Sequence, residues 1–213
     1  MNSPRPTDMP ALLSLRDAHK ALTRTRIQDA ARELFFSQGY VATTIDQITI
    51  EAGTRRSTLY THFRDKEDIL DAITQDYVIA LVGIMGRLPG PTPVRAEIDL
   101  WIQEVAAFVA RERTPTILFA GLGDLDRVPV PVAKLGDRMF NVLATNVLAF
   151  RQAATPGPEQ GRARFWATMT LRELMRACLK NSRQEGTWYD PTDMFSVVGE
   201  ILEIFVQRYS SQR

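Results

Sequence analysis

The residues best suited to chemistry are a short run of cations and hydroxyls, Thr54, Arg55, Arg56, Ser57 and Thr58, followed by Tyr60, His62 and Lys66. An arginine fork matches the O6 and N7 of guanine, and threonine can meet a base edge or the thymine methyl. Hydroxyl and ammonium groups nearby suit phosphate oxygens, which position a protein on a duplex without reading its sequence. The pattern points to double-stranded nucleic acid. Thr54, Arg55, Arg56 and Thr58 are expected on base edges, with Arg56 foremost. Thr44, Tyr60, His62 and Lys66 are expected on phosphates; Thr44 opens a helix, so it could serve as a cap, as a phosphate ligand, or as both. Covalent and metal chemistry find little support. His19 and His62 are the only histidines and lie far apart, and Cys178 is the only cysteine. Cys178 falls in an apolar helical pattern with Leu171, Leu174, Met175 and Leu179, which reads as packing. Without a nucleophile–base pair or a metal-ligand cluster, neither an enzyme nor a metal site is expected, and no cofactor.

These side chains need short helices to hold them. Ile27, Ala30, Ala31, Leu34 and Phe35 follow helical spacing, and Thr23 or Thr25 is a candidate cap with Gly39 as the stop. Thr44 and Gln47 make a capping box for a second helix over 44–52. Gly53 offers the positive φ of a tight turn. A third helix follows over 55–62 with Thr54 as its cap, and Phe63 closes a three-helix core. Two short helices joined by a glycine turn make a helix-turn-helix. Asp65 caps a longer fourth helix over 66–87, which LPGPTP ends. The remainder reads as helices over 94–112, 115–123, 130–153, 159–183 and 192–209, with no strand alternation. The fold class is therefore all-α: an N-terminal three-helix helix-turn-helix domain plus a larger helical domain. The boundaries are a flexible arm over 1–18, a DNA-binding domain over 19–66, and a second domain over 67–213 that includes the connecting helix.

Bulk properties agree and exclude some alternatives. The 213 residues carry 26 Lys and Arg against 25 Asp and Glu, so net charge says little about partners. Between Arg16 and Arg64 there are eight cations and five anions, a mild excess of three. Arg5, Arg16 and Lys20 could add minor-groove or phosphate contacts, although Pro4, Pro6 and Pro10 fit an inert arm as well. No run of 18 apolar residues and no signal-like leader is present, so a soluble, cytoplasmic protein without a membrane partner is expected.

The segments IQDAARELFFSQGY, TTIDQITIEAG, RSTLYTHF and RDKEDIL, in this order and spacing, resemble the TetR family of transcriptional regulators. The likeness runs from Thr25 to Leu70. It implies phosphate contacts at Thr44, Tyr60 and Lys66, and puts Thr54, Arg55 and Arg56 near the start of the recognition helix. It also implies a ligand-binding and dimerisation domain whose last two helices pair with their copies. Thr49, Thr54 and Ser57 depart from the family's usual alanine, small apolar residue and glycine, so an operator cannot be transferred from a relative. The function implied is a homodimeric repressor, released from a near-palindromic operator by a small, apolar or aromatic effector. The alternatives are an activator, a constitutive repressor without an inducer, and a helical adaptor that no longer binds DNA.

In the C-terminal part, Trp101, Phe108, Phe119, Met139, Phe140, Trp166 and Met169 are the candidate pocket residues, with Asn141, Asn146 and Thr170 as polar handles. Aromatic rings and flexible methionines together suit an apolar ligand. Phe165, Cys178, Phe195, Val198, Leu202 and Phe205 are the candidates for the dimer interface.

Overall fold

A computed structural model describes residues 14–123, 127–181 and 190–211. All regular structure among them is helical, as expected: α1 (Leu15–Ser37), α2 (Ile45–Glu51), α3 (Arg56–His62), α4 (Lys66–Met85), α5 (Arg95–Arg111), α6 (Arg113–Gly123), α7 (Val130–Asn146), α8 (Leu148–Ala153), α9 (Pro158–Asn181) and α10 (Pro191–Ser210). The chain divides into two compact units at Ile69 and Leu70, within α4.

In the first unit, Ile27, Ala30, Ala31 and Phe35 of α1 are buried, together with Ile48, Ala52, Leu59, Phe63 and Ile69. α1 starts earlier than the apolar spacing suggests. Ser14 caps it by accepting the Asp17 N–H, while Thr23 bonds back to the His19 carbonyl instead of capping. Its first turns, with Arg16 and Lys20, are exposed and lack an apolar face to announce them. Arg5 lies outside the described residues. Gly39 and Gly53 both have positive φ, 89° and 60°, where a side chain would be strained.

The second unit packs α5, α8, α9 and α10 around a core of Ile98, Trp101, Val105, Phe150, Leu174, Leu202 and Phe205. The helix expected over 130–153 is two helices, because Val147 is extended. No glycine or proline marks this break; tertiary contacts impose it. The Leu148 N–H donates to the Pro91 carbonyl at 2.8 Å, and Asn146 Nδ2 donates to the Gly86 carbonyl at 2.7 Å. Arg151 then donates to the freed carbonyls of Ala144 and Thr145. Asn146 is thus a tie between segments and not a pocket handle. Gly90 lies against the Asn146 carbonyl so closely that any Cβ would overlap it. Among the described residues, no helix is long and apolar enough to cross a membrane.

Candidate nucleic-acid interface and ligand cavity

In the first unit, the capping box expected at α2 is present. Thr44 Oγ1 accepts the Gln47 N–H at 3.2 Å, and Gln47 Oε1 accepts the Thr44 N–H at 2.8 Å. The Thr44 hydroxyl also lies 3.0 Å from Gln47 Oε1, so its polar atoms already have partners. Thr49 is buried and donates to the Asp46 carbonyl, so the hydroxyl at this departure from the family pattern is satisfied locally. The turn then brings the Thr54 N–H to the Thr49 carbonyl. α3 begins one residue later than expected. Arg55 stands at its cap position with extended backbone and no side-chain cap, so Thr54 does not cap it.

Leu59 anchors α3 to the core with no exposure. The opposite side shows Arg55, Arg56, Ser57 and Tyr60 to solvent, while Thr54 and Thr58 are half-buried. The Arg55 carbonyl accepts the Leu59 N–H at 3.0 Å, and its guanidinium has no hydrogen-bond or ion-pair partner among the described residues. Arg56 reaches back to Asp46 of α2 at 2.9 Å, and its guanidinium lies 3.4 Å from the Tyr60 hydroxyl. Tyr60 and Asp46 both favour its charged form. Sequence reasoning named the arginine but missed this acidic partner ten residues upstream.

The His62 backbone carbonyl and the Lys66 ammonium both have partners inside the unit. Arg24 of α1 donates to the His62 carbonyl at 2.8 Å and lies 4.1 Å over the Phe63 ring, clamping the end of α3. Partial burial, then the charges of Lys20 and Arg24, hold the His62 imidazole below its ordinary pKa. Lys66, expected on a phosphate, points inward instead. Its Nζ donates to the carbonyls of Tyr40 at 2.7 Å and Thr43 at 2.8 Å, is 3.5 Å from the Val41 carbonyl, and lies 4.3 Å over the Tyr40 ring. Three donors meet three carbonyls of one turn, which caps the 40–43 segment from below. Burial lowers the ammonium's pKa. Asp65 caps α4 through the Asp68 N–H at 2.8 Å.

The second unit contains a cavity of about 310 Å³ between α4, α6, α7 and α9. Of the candidate pocket residues, Phe119, Met139 and Phe140 line it. The other four do not. Trp101 is core, with its indole N–H on the Ile84 carbonyl, and Phe108 stacks behind Tyr77 at 5.8 Å. Trp166 packs on Phe205 and Tyr209, and Met169 is exposed. Nor do the remaining handles face the cavity: Asn141 is exposed, and Thr170 bonds back to the Trp166 carbonyl. The polar groups that do line it are Tyr77, Thr116, Thr168, Arg172 and Arg176. Tyr77 stands on α4. Its hydroxyl lies 2.8 Å from Thr116 Oγ1, which donates to the Glu112 carbonyl at 2.8 Å, so the tyrosine is the donor of the pair. Burial pushes the Tyr77 phenol up to about 12 and keeps it protonated.

The candidate interface residues also separate. Cys178, Val198, Leu202 and Phe205 are fully buried inside the protomer, and Phe195 packs partly on the core. Burial pushes the Cys178 thiol up to about 12. Phe165 is exposed, in company the sequence reading did not assign there: Met169 on α9, and Val197, Ile201 and Ile204 on α10. Among the described residues, no group of three or more histidine, cysteine or carboxylate side chains could hold a metal ion.

Residues 27–73 match the family model for bacterial regulatory proteins of the tetR family. Over 51 residues the chain is 47% identical to the HTH-type transcriptional regulators TtgW and SrpR of Pseudomonas putida. These matches span 24% of this chain, and only 38% of TtgW and 24% of SrpR. Among solved structures, one assigned to the tetR family from Shewanella sp. PV-4 aligns with a TM-score of 0.60 at 15% identity, over 89% of this chain and 99% of the other. FadR of Bacillus subtilis, solved with stearoyl-CoA, aligns with a TM-score of 0.55 at 18% identity, over 85% and 97%. Residues 27–73 of the chain therefore match the segment that defines the tetR family of bacterial regulatory proteins, and its fold is shared with solved transcriptional regulators.

Proposed function

We propose that this protein is a sequence-specific DNA-binding transcriptional repressor, released from a near-palindromic operator by a small molecule held in the cavity of its second unit. The observation that carries the reading is the solvent-facing side of α3, where Arg55 and Arg56 stand with Ser57 and Tyr60 within the segment that matches the family. Arg55 is the stronger candidate for a base edge, since Arg56 must first exchange its Asp46 partner or keep it as a brace. Tyr60, 45% exposed, suits a phosphate through its hydroxyl. Thr54 and Thr58 flank this face as secondary base contacts.

The exposed apolar stripe of Phe165, Met169, Val197, Ile201 and Ile204 supports a homodimer built on α9 and α10. Two recognition helices then meet half-sites about one DNA turn apart. The effector acts by preferring the arrangement that does not fit the operator. The continuous α4 is the candidate lever, since it contributes Tyr77 and Leu81 to the cavity wall.

Selection of the purified protein against a random duplex library at near-physiological salt tests the reading. Enrichment of one near-palindromic sequence, lost in Arg55→Ala, is the expected result. A folded, dimeric protein that enriches nothing would overturn it.

A further inference from the structure

Among the described residues, every side-chain hydroxyl that lines the cavity has already committed its proton. These belong to Tyr77, Thr116 and Thr168. Thr116 Oγ1 donates to the Glu112 carbonyl at 2.8 Å, so the Tyr77 hydroxyl, 2.8 Å away, donates to Thr116. Thr168, at the exposed edge, donates to the Arg164 carbonyl at 2.8 Å. A hydroxyl has one proton and two lone pairs. Tyr77 therefore keeps both lone pairs, and Thr116, which accepts once, keeps one.

The Tyr77–Thr116 pair is fixed and buried. The Tyr77 ring stacks on Phe108 and Phe119, with centroids 5.8 and 5.5 Å away, and both hydroxyl-bearing residues are buried. Burial pushes the phenol up to about 12, so it holds its proton at neutral pH. Leu81, Leu135, Met139 and Phe140 add apolar side chains to the same wall. A ligand oxygen that can only accept meets oxygen lone pairs here. It is served only if Tyr77 turns from Thr116, which breaks one bond to make another. An O–H or N–H adds a bond and breaks none. A charged donor would lose its hydration against the apolar side chains. The remaining polar groups, Arg172 and Arg176, line the exposed edge, where solvent competes for them.

We infer that the cavity selects a neutral hydrogen-bond donor, an alcohol, phenol or N–H compound, whose apolar body lies against Met139 and Phe140 and whose proton goes to the Tyr77–Thr116 pair. The cavity volume of about 310 Å³ is at the low end of small-molecule sites, which favours a small ring system or a medium chain. The inference rests on the reading of the cavity as an effector site and adds the chemical class.

Two alcohol–ketone pairs of matched carbon skeleton serve as probes: 1-(2-naphthyl)ethanol with 2-acetonaphthone, and 2-decanol with 2-decanone. Binding is measured by calorimetry on the full-length protein and on three variants, with thermal unfolding to verify that each is folded. In at least one pair the alcohol is expected to bind about fivefold or more tighter than the ketone, the worth of one net hydrogen bond. Thr116→Val removes the acceptor of the Tyr77 proton and frees it for a ligand, so the ketone should gain about fivefold and the preference should vanish. Tyr77→Phe/Thr116→Val exchanges both hydroxyls for apolar groups of like shape, which is nearly neutral for folding, and should bring alcohol and ketone to within about twofold. Gly136→Leu adds a side chain at a cavity-lining position where a Cβ meets nothing within 4 Å, and should weaken every probe that binds. If alcohol and ketone bind the unaltered protein equally, or the alcohol preference survives in the double variant, while Gly136→Leu weakens both, the donor assignment fails and the cavity site stands. If no probe binds at millimolar concentration, or binding is indifferent to Gly136→Leu, the cavity site itself fails.

Discussion

Replacing Lys66 with methionine should destabilise the N-terminal unit and leave its charge contact with DNA intact. The Lys66 ammonium donates two short bonds, 2.7 Å to the Tyr40 carbonyl and 2.8 Å to the Thr43 carbonyl, and lies over the Tyr40 ring. Hydrogen bonds from a charged donor contribute about 1.5–3 kcal/mol each, and those of a half-buried group fall near the lower value. Methionine keeps the apolar stem against Tyr40 but removes both of these charged bonds. A loss of about 2–4 kcal/mol follows. For a unit this small, each kcal/mol moves the midpoint by about 4–8 °C, so a fall of roughly 10 °C or more is expected. Hydrogen exchange over residues 40–66, with thermal unfolding, reads this loss locally. The salt dependence of duplex binding gives the contrast, because each phosphate contact contributes about 0.9 to the slope of log K against log salt. Unchanged stability with a slope reduced by about 0.9 would refute the structural role and make Lys66 a phosphate ligand.

Asp46→Asn frees Arg56 from its ion pair, so duplex binding should tighten severalfold and its salt slope should steepen by about 0.9, read by fluorescence anisotropy between 50 and 200 mM salt; an unchanged slope would show that Arg56 does not reach the backbone. His62 has a folded pKa below its ordinary 6.5, so the unfolded chain binds the proton more readily. Its contribution is complete above pH 6.5 and is lost as the pH falls toward the folded value, and His62→Asn should flatten this part of a stability–pH curve from urea unfolding. Gly136→Ala should stabilise the second unit by about 0.5–1 kcal/mol, since the helix gains propensity and the new methyl enters open space. Tyr209 is 2% exposed and its hydroxyl has no partner among the described residues, so Tyr209→Phe should be neutral or stabilise by about 1 kcal/mol in urea titrations.

Patterns confined to one helix were readable from sequence. The buried face of α1, the Thr44–Gln47 capping box and the Asp65 cap depend on neighbours three or four residues away, and all are present. Features made by distant partners were not readable. The 40–43 turn claims Lys66 from 23 to 26 residues upstream. The α7–α8 break at Val147 depends on carbonyls at Gly86 and Pro91. α10 defeated the periodicity argument in another way. It is apolar on two faces, so Val198, Leu202 and Phe205 face inward while Val197, Ile201 and Ile204, each one position away, face out. Spacing alone cannot say which stripe is the core and which is left for a partner. For the cavity, counting aromatic residues and methionines found Phe119, Met139 and Phe140 but not Tyr77, whose role depends on a threonine 39 residues away.

Gly136 of α7 lines the cavity and gives it an evolutionary asymmetry. Nearly any replacement other than proline adds helix propensity, and its Cβ meets nothing within 4 Å. Mutation therefore drifts downhill toward a smaller cavity, and the protein becomes sturdier as it goes. Reopening the space runs uphill, because a glycine must be restored inside a helix. Random substitution will readily narrow what this position admits and seldom widen it. A laboratory selection for stability alone would be expected to close the cavity here, so ligand response has to be selected alongside stability to keep it open.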